Sequence, residues 1–168
     1  MSGRGPAVIQ VVGLKNAGKT TLVCKLVELL DGLGYQVGTI KHDAHRFQMD
    51  HEGKDTWRHR EAGARMVAIS SELEGQTCYI EQRYTSLADM LARMNGMDFV
   101  IVEGFKSEEY PKLAVIRHPE QLELLGRVSP LLAVASWLPE AEVRHAVPAG
   151  IPVCHIDDAE GMLRLVLA

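Results

Sequence analysis

Two glycines, a lysine and paired threonines interrupt the apolar run "AVIQVVGLKNAGKTTLVCKLVELL" (residues 7–30) with the spacing of a phosphate-binding turn. Residues 13–20, "GLKNAGKT", fit G-x-x-x-x-G-K-[ST] at every fixed position, after a strand-like run and before a helical one. Gly13 and Gly18 allow the backbone to bend so that successive N–H groups, along Lys15, Asn16 and Ala17, point inward at phosphate oxygens. The positive end of the following helix faces the same anion. Lys19 is expected to reach the β- and γ-phosphates, and Thr20 to offer its hydroxyl to Mg²⁺. Thr21 would contact the α-phosphate. Lys15 sits one residue away from the place where some P-loop ATPases carry an extra lysine, and reads as a solvated charge of the loop. The chemistry implied is binding of a nucleoside triphosphate.

Such a site needs a carboxylate at the end of a neighbouring strand, to hold the metal or orient the attacking water. "DFVIVEGFK" offers Glu103 after four apolar residues, followed by Gly104, whose N–H could approach the γ-phosphate unobstructed by a side chain. The segment 41–64, "KHDAHRFQMDHEGKDTWRHREAGA", also opens at a strand's carboxyl end and is dense in titratable groups. His42, His45 and His51 with Asp43 and Asp50 suggest a metal site, but their spacing matches no standard zinc signature. A substrate or effector loop beside the γ-phosphate and a solvated surface remain the other readings of this segment.

The elements that must position these residues follow from periodicity. Strand-like runs lie at 7–12, 35–40, 65–70, 76–81, 98–103, 112–117, 131–136 and 151–156. Helical patterns lie at 20–33, 54–63 and 86–94, and in the closing "DDAEGMLRLVLA". Leu22, Leu26, Leu29, Leu30 and Leu33 form the apolar stripe of the first helix, which Gly34 closes. Alternating strands and helices imply an α/β domain with a mostly parallel sheet. "RMVAISSELEGQTCYIEQRY" breaks the alternation and reads as a β-hairpin inserted into the sheet, with an edge for a second subunit or the chain itself to cover. The whole chain, 1–168, reads as one domain.

Composition narrows the partners. The net charge of -4 and the lack of a long basic run argue against nucleic acid or an anionic membrane surface. Cys24, Cys78 and Cys154 are widely spaced and odd in number, as in a reducing compartment, and no apolar run approaches membrane-spanning length. A soluble, cytoplasmic protein is expected.

With the loop, "TIKHDAHRF", "GKDTWRHREAGA" and "VEGFK" in order, and "AVAS" and "IDDAEGM" following, the sequence resembles the MobB family of molybdopterin-guanine dinucleotide biosynthesis adapter proteins. The resemblance implies a three-layer P-loop NTPase fold, GTP with Mg²⁺ as ligand, a weak GTPase activity and a homodimer. It also implies an accessory role to a separate nucleotidyltransferase, MobA, which attaches GMP to molybdopterin, with the molybdenum-inserting MoeA as a further partner. The family pattern falls on Lys41, His42, His45, Asp50, Gly53, Lys54, Asp55, Glu103, Gly104 and Lys106. Lys41 and Lys106 could take an anionic pterin phosphate, and Asp50 or Glu103 could polarise water or hold the metal. The chain lacks the N-K-x-D motif with which many proteins read guanine, and Trp137 stands after "AVAS", where relatives can carry an acidic residue. Trp137 could stack on a base. The competing reading is a small-molecule P-loop kinase, whose lid Arg58, Arg60 or Arg65 would supply.

Overall fold

Hydrophobic strands with no polar face can pair only inside a sheet covered on both sides, and here they do. The computed structural model describes residues 5–43 and 47–168. By its internal contacts the chain divides into two units, Met1–His42 with Leu87–Ala168, and Asp43–Ser86.

The first unit contains β1 (Ala7–Gly13), α1 (Lys19–Gly32), β2 (Val37–Lys41), and, after the second unit, α3 (Leu87–Arg93), β5 (Phe99–Glu103) and β6 (Lys112–Ile116). It continues through a 3-10 segment (Pro119–Arg127), β7 (Leu131–Ser136), α4 (Glu140–Val143), β8 (Val153–His155) and α5 (Ala159–Leu167). Its strands form a six-stranded sheet in the order β2-β5-β1-β6-β7-β8. Every pairing in it is parallel.

Alternate residues of the central strands enter different cores. Val11, Ile101, Leu113 and Val115 pack with Leu22, Leu26 and Leu30 of α1 and Met162 of α5. On the other face Val12, Ala114 and Ile116 meet Leu124 and Leu125 of the 3-10 segment, while Val100 and Val102 meet Leu87 and Leu91 of α3. The result is three layers, helix on sheet on helix.

The stripe expected on α1 ends one turn early. Leu22, Leu26 and Leu30 are buried, but Leu33 is 60% exposed because it follows the last helical residue. Gly34, at φ +86, turns the chain away from the helix, its N–H donating to Asp31 O and that of Tyr35 to Leu30 O. This double bond pattern closes a helix through a left-handed residue.

The second unit contains α2 (Asp55–Glu61), β3 (Met66–Ser71) and β4 (Gln76–Glu81). The hairpin expectation holds, with Met66 opposite Glu81 and Ser71 opposite Gln76. Its placement in the parallel sheet does not: β3 and β4 form a separate two-stranded sheet. A run of alternating apolar residues cannot distinguish a strand of the main sheet from one that pairs only with its neighbour in the chain. Met66, Ile69 and Tyr79 are exposed on this hairpin.

Candidate functional site

The turn between β1 and α1 takes the shape its residue types allow. Asn16 and Gly18 adopt φ of +61 and +101. A Cβ on Gly13 would lie 2.9 Å from the Val115 carbonyl oxygen, so only glycine fits beside β6. Lys15, Asn16, Thr20 and Thr21 are exposed, whereas Ala17 is fully buried and anchors the loop. No side chain caps the start of α1, and its first turn carries no acidic residue. Its leading N–H groups are therefore left to an external acceptor, and the helix dipole favours an anion there.

Parallel register brings two further residues, Glu103 and Lys41, to this turn. Glu103 is paired with Val11 of β1 on one side and with Lys41 of β2 on the other. Glu103 is 7% exposed. The Thr20 hydroxyl donates to its Oε2 at 2.9 Å and its Oε1 at 3.1 Å, and Lys41 Nζ lies 3.4 Å from Oε1. Lys19 Nζ donates to the Leu14 carbonyl at 2.8 Å. Burial lowers the Lys19 pKa, the Glu103 carboxylate opposes that shift, and the charges of Lys106 and Lys41 add to it. The charges of Lys41 and Lys106 thus act on Lys19 against the single Glu103 carboxylate, a field that a polyphosphate would relieve. A hydroxyl and a carboxylate side by side are hard oxygen donors, the kind Mg²⁺ prefers, so the site suits that ion.

The turn after β5 corrects one expectation. The Gly104 N–H does not face the phosphate turn; it donates to the Val11 carbonyl at 3.0 Å. Parallel pairing of β5 with β1 claims this donor. Gly104 serves instead through its conformation, φ +102, with His42 Cβ at 3.1 Å from where its own Cβ would stand. Phe105 follows at φ +50, its ring centroid 4.5 Å from that of His42. Gln10, buried in β1, fixes this turn, its Nε2 donating to the carbonyls of Gly104 at 3.1 Å and Phe105 at 2.6 Å. Sequence reasoning missed Gln10, although an amide inside the apolar run "VIQVV" was the available signal.

Arg117 was also missed. It follows β6 directly, as Trp137 follows β7. The Trp137 indole N–H donates to Ala17 O at 2.8 Å, and Arg117 Nη1 donates to Asn16 O at 3.2 Å. The Arg117 guanidinium carbon lies 5.1 Å from the Trp137 ring centroid. The two residues brace the turn between β1 and α1 from the β6–β7 side.

In the second unit Asp50 is 8% exposed. Its Oδ1 accepts from Thr56 Oγ1 at 2.9 Å and the His51 N–H at 3.0 Å, while Arg60 lies 3.7 Å from Oδ2. These contacts tie the loop before α2 to that helix. Gly53, at φ +85, turns the chain into Lys54 and Asp55, where α2 begins. His45 lies outside the described residues. Among the described residues no group of three or more His, Cys, Asp or Glu side chains could hold a metal ion, and no helix is long and apolar enough to cross a membrane.

Residues 8–137 match the family model described as molybdopterin guanine dinucleotide synthesis protein B, MobB. A probable molybdopterin-guanine dinucleotide biosynthesis adapter protein of Bacillus subtilis is 34% identical over 155 residues, covering 90% of this chain and 86% of that one. The adapter protein of Escherichia coli is 32% identical over 159 residues, covering 89% and 85%. The crystal structure of Bacillus subtilis MobB superposes with a TM-score of 0.80 at 30% identity, over 96% of each chain. That of a MobB homologue from Bacillus stearothermophilus gives 0.72 at 29% identity, over 96% of this chain and 95% of that one. From the first strand to the residue that braces the phosphate turn, the chain belongs to the MobB family.

Proposed function

We propose that this protein is a GTP-binding adapter of molybdopterin-guanine dinucleotide biosynthesis, with slow GTP hydrolysis that serves a complex rather than product formation. The observation that carries this reading is the convergence of an uncapped helix start, Lys19, Thr20, Glu103 and Lys41 at one turn. Its relatives' names supply the pathway.

On binding, Lys19 would exchange the Leu14 carbonyl for a phosphate oxygen, and the turn's amides would take the others. Thr20 and Glu103 would hold Mg²⁺, which when bound neutralises charge on the phosphates. Glu103, tied to Thr20 and Lys41, would also orient water. The partner would be a separate nucleotidyltransferase, MobA, acting on molybdopterin, with MoeA downstream. The exposed Met66, Ile69 and Tyr79 of the hairpin support a homodimer built through the second unit.

A kinase reading would need arginines free to close over phosphate. Arg60 is held by the buried Asp50 carboxylate at 3.7 Å, which favours the adapter. Purified protein incubated with GTP, Mg²⁺ and candidate acceptors tests the choice. Slow phosphate release without transfer is expected; transfer to an acceptor at about 1–100 per second would establish a kinase instead.

A further inference from the structure

The family's phosphate turn explains why a triphosphate is held, yet nothing in an N-K-x-D pattern is present to choose its base. The structure supplies another candidate on the far side of the turn. Glu103 and Thr20, which mark the metal and the terminal phosphates, lie on the β5 side of β1. A triphosphate anchored there leaves its nucleoside end free to lie over the carboxyl ends of β6 and β7, where ligands of open α/β sheets collect. Ile116 and Ser136 are paired residues in these strands, so the residues that follow them, Arg117 and Trp137, stand side by side. Trp137 is further fixed by its own N–H on the Ile116 carbonyl at 2.9 Å.

We infer that Arg117 and Trp137 form the nucleobase subsite, Trp137 as a fixed platform that orients the guanidinium 5.1 Å from its ring centroid, and Arg117 as the reader of guanine's O6 and N7 edge. The indole N–H is committed to Ala17 O at 2.8 Å, which sets the ring's orientation before any ligand arrives, while 37% of the residue remains exposed. Arg117 is exposed, and a guanidinium has five N–H donors and no acceptor. The hydrogen bond to Asn16 O uses one donor and leaves others for a ligand. Guanine offers two acceptors, O6 and N7, on a single edge, whereas adenine presents N7 beside an amino donor. An all-donor group can satisfy the first edge fully and must face donor against donor on the second. Guanine is thereby selected without a carboxylate on its N1 and N2 hydrogens. The inference rests on the proposed triphosphate site and gives it a base preference.

The test is a calorimetric titration of the whole protein with GTP, inosine triphosphate, ATP and inorganic tripolyphosphate, each with Mg²⁺, for the wild type and Arg117→Ala. Inosine carries the same O6 and N7 edge but lacks the 2-amino group, so it should bind as GTP does, both ahead of ATP. In Arg117→Ala, GTP and inosine triphosphate should weaken by about ten- to a hundredfold, the range of one bidentate base contact. ATP and tripolyphosphate should weaken less, by the loss of the hydrogen bond to Asn16 O alone, so that the GTP-to-ATP ratio falls. An unaltered GTP-to-ATP ratio would overturn the base-reading role, as would an equal loss for tripolyphosphate, which would make Arg117 only a brace of the turn. A wild type that binds none of the four would instead overturn the triphosphate site itself.

Discussion

The Thr20 hydroxyl donates to both carboxylate oxygens of Glu103, at 2.9 and 3.1 Å, across the gap between the first helix and the fifth strand. The pair joins the first turn of α1 to the strand beside β1, where a nucleotide's metal would sit. Replacing the acceptor with an amide keeps the shape and removes the charge. Glu103→Gln is expected to bind GTP nearly as the wild type does and to hydrolyse it about 10²-fold more slowly, the lower end of what a positioned acid–base group contributes. Phosphate release under single-turnover conditions reads this directly, and an equally active variant would remove Glu103 from the mechanism.

Lys19 gives the site its pH dependence. Burial disfavours its charged form, so its pKa in the free protein lies below the ordinary 10.5. A bound polyphosphate favours the charged form and raises that pKa again. GTP affinity should therefore fall as pH rises through the lowered value, before an ordinary lysine would titrate. Binding on the alkaline side should take up protons, seen by calorimetry in buffers of different ionisation enthalpy. The stability sign runs the other way: the unfolded chain binds more protons in the window between the lowered pKa and 10.5, so the free protein gains stability there as pH rises. Proton release on binding would contradict the assignment.

Gln10 holds the turn at Gly104 and Phe105 from inside the sheet. Gln10→Leu leaves two half-buried carbonyls without their donor, and should lower stability by about 1–3 kcal/mol. A urea denaturation midpoint equal to that of the wild type would show that the turn holds itself.

Gly18 stands at φ +101 with the Trp137 indole 3.1 Å from where a Cβ would be. Gly18→Ala combines a backbone conformation that costs about 1–3 kcal/mol with a clash against the bracing ring. Weakened GTP binding and a lower melting temperature are expected together. Full affinity in this variant would mean that the turn tolerates another shape.

Much of this was legible in the sequence because the strongest signals are local. The glycine spacing announces the turn between β1 and α1, and Glu103 is visible because a lone carboxylate ends four apolar residues. What escaped were contacts between positions distant in the chain. Gln10 reaches the turn at 104–105, Trp137 reaches Ala17, and Arg117 reaches Asn16, all joined only by sheet register. Gly104 was read as a donor for the same reason: its N–H is claimed by Val11 through a pairing that no local pattern reveals. The hairpin's strands were found, but not the sheet they belong to, since alternation specifies a strand's faces and not its neighbour.

The central claim is that the turn from Gly13 to Thr20 holds the polyphosphate of a nucleotide. Calorimetric titration of GTP with Mg²⁺ into the wild type and Lys19→Ala, with folding of both checked by circular dichroism, tests it most directly. Saturable one-site binding to the wild type and loss of that binding in the variant are expected. A folded Lys19→Ala protein that binds GTP as tightly as the wild type would contradict it.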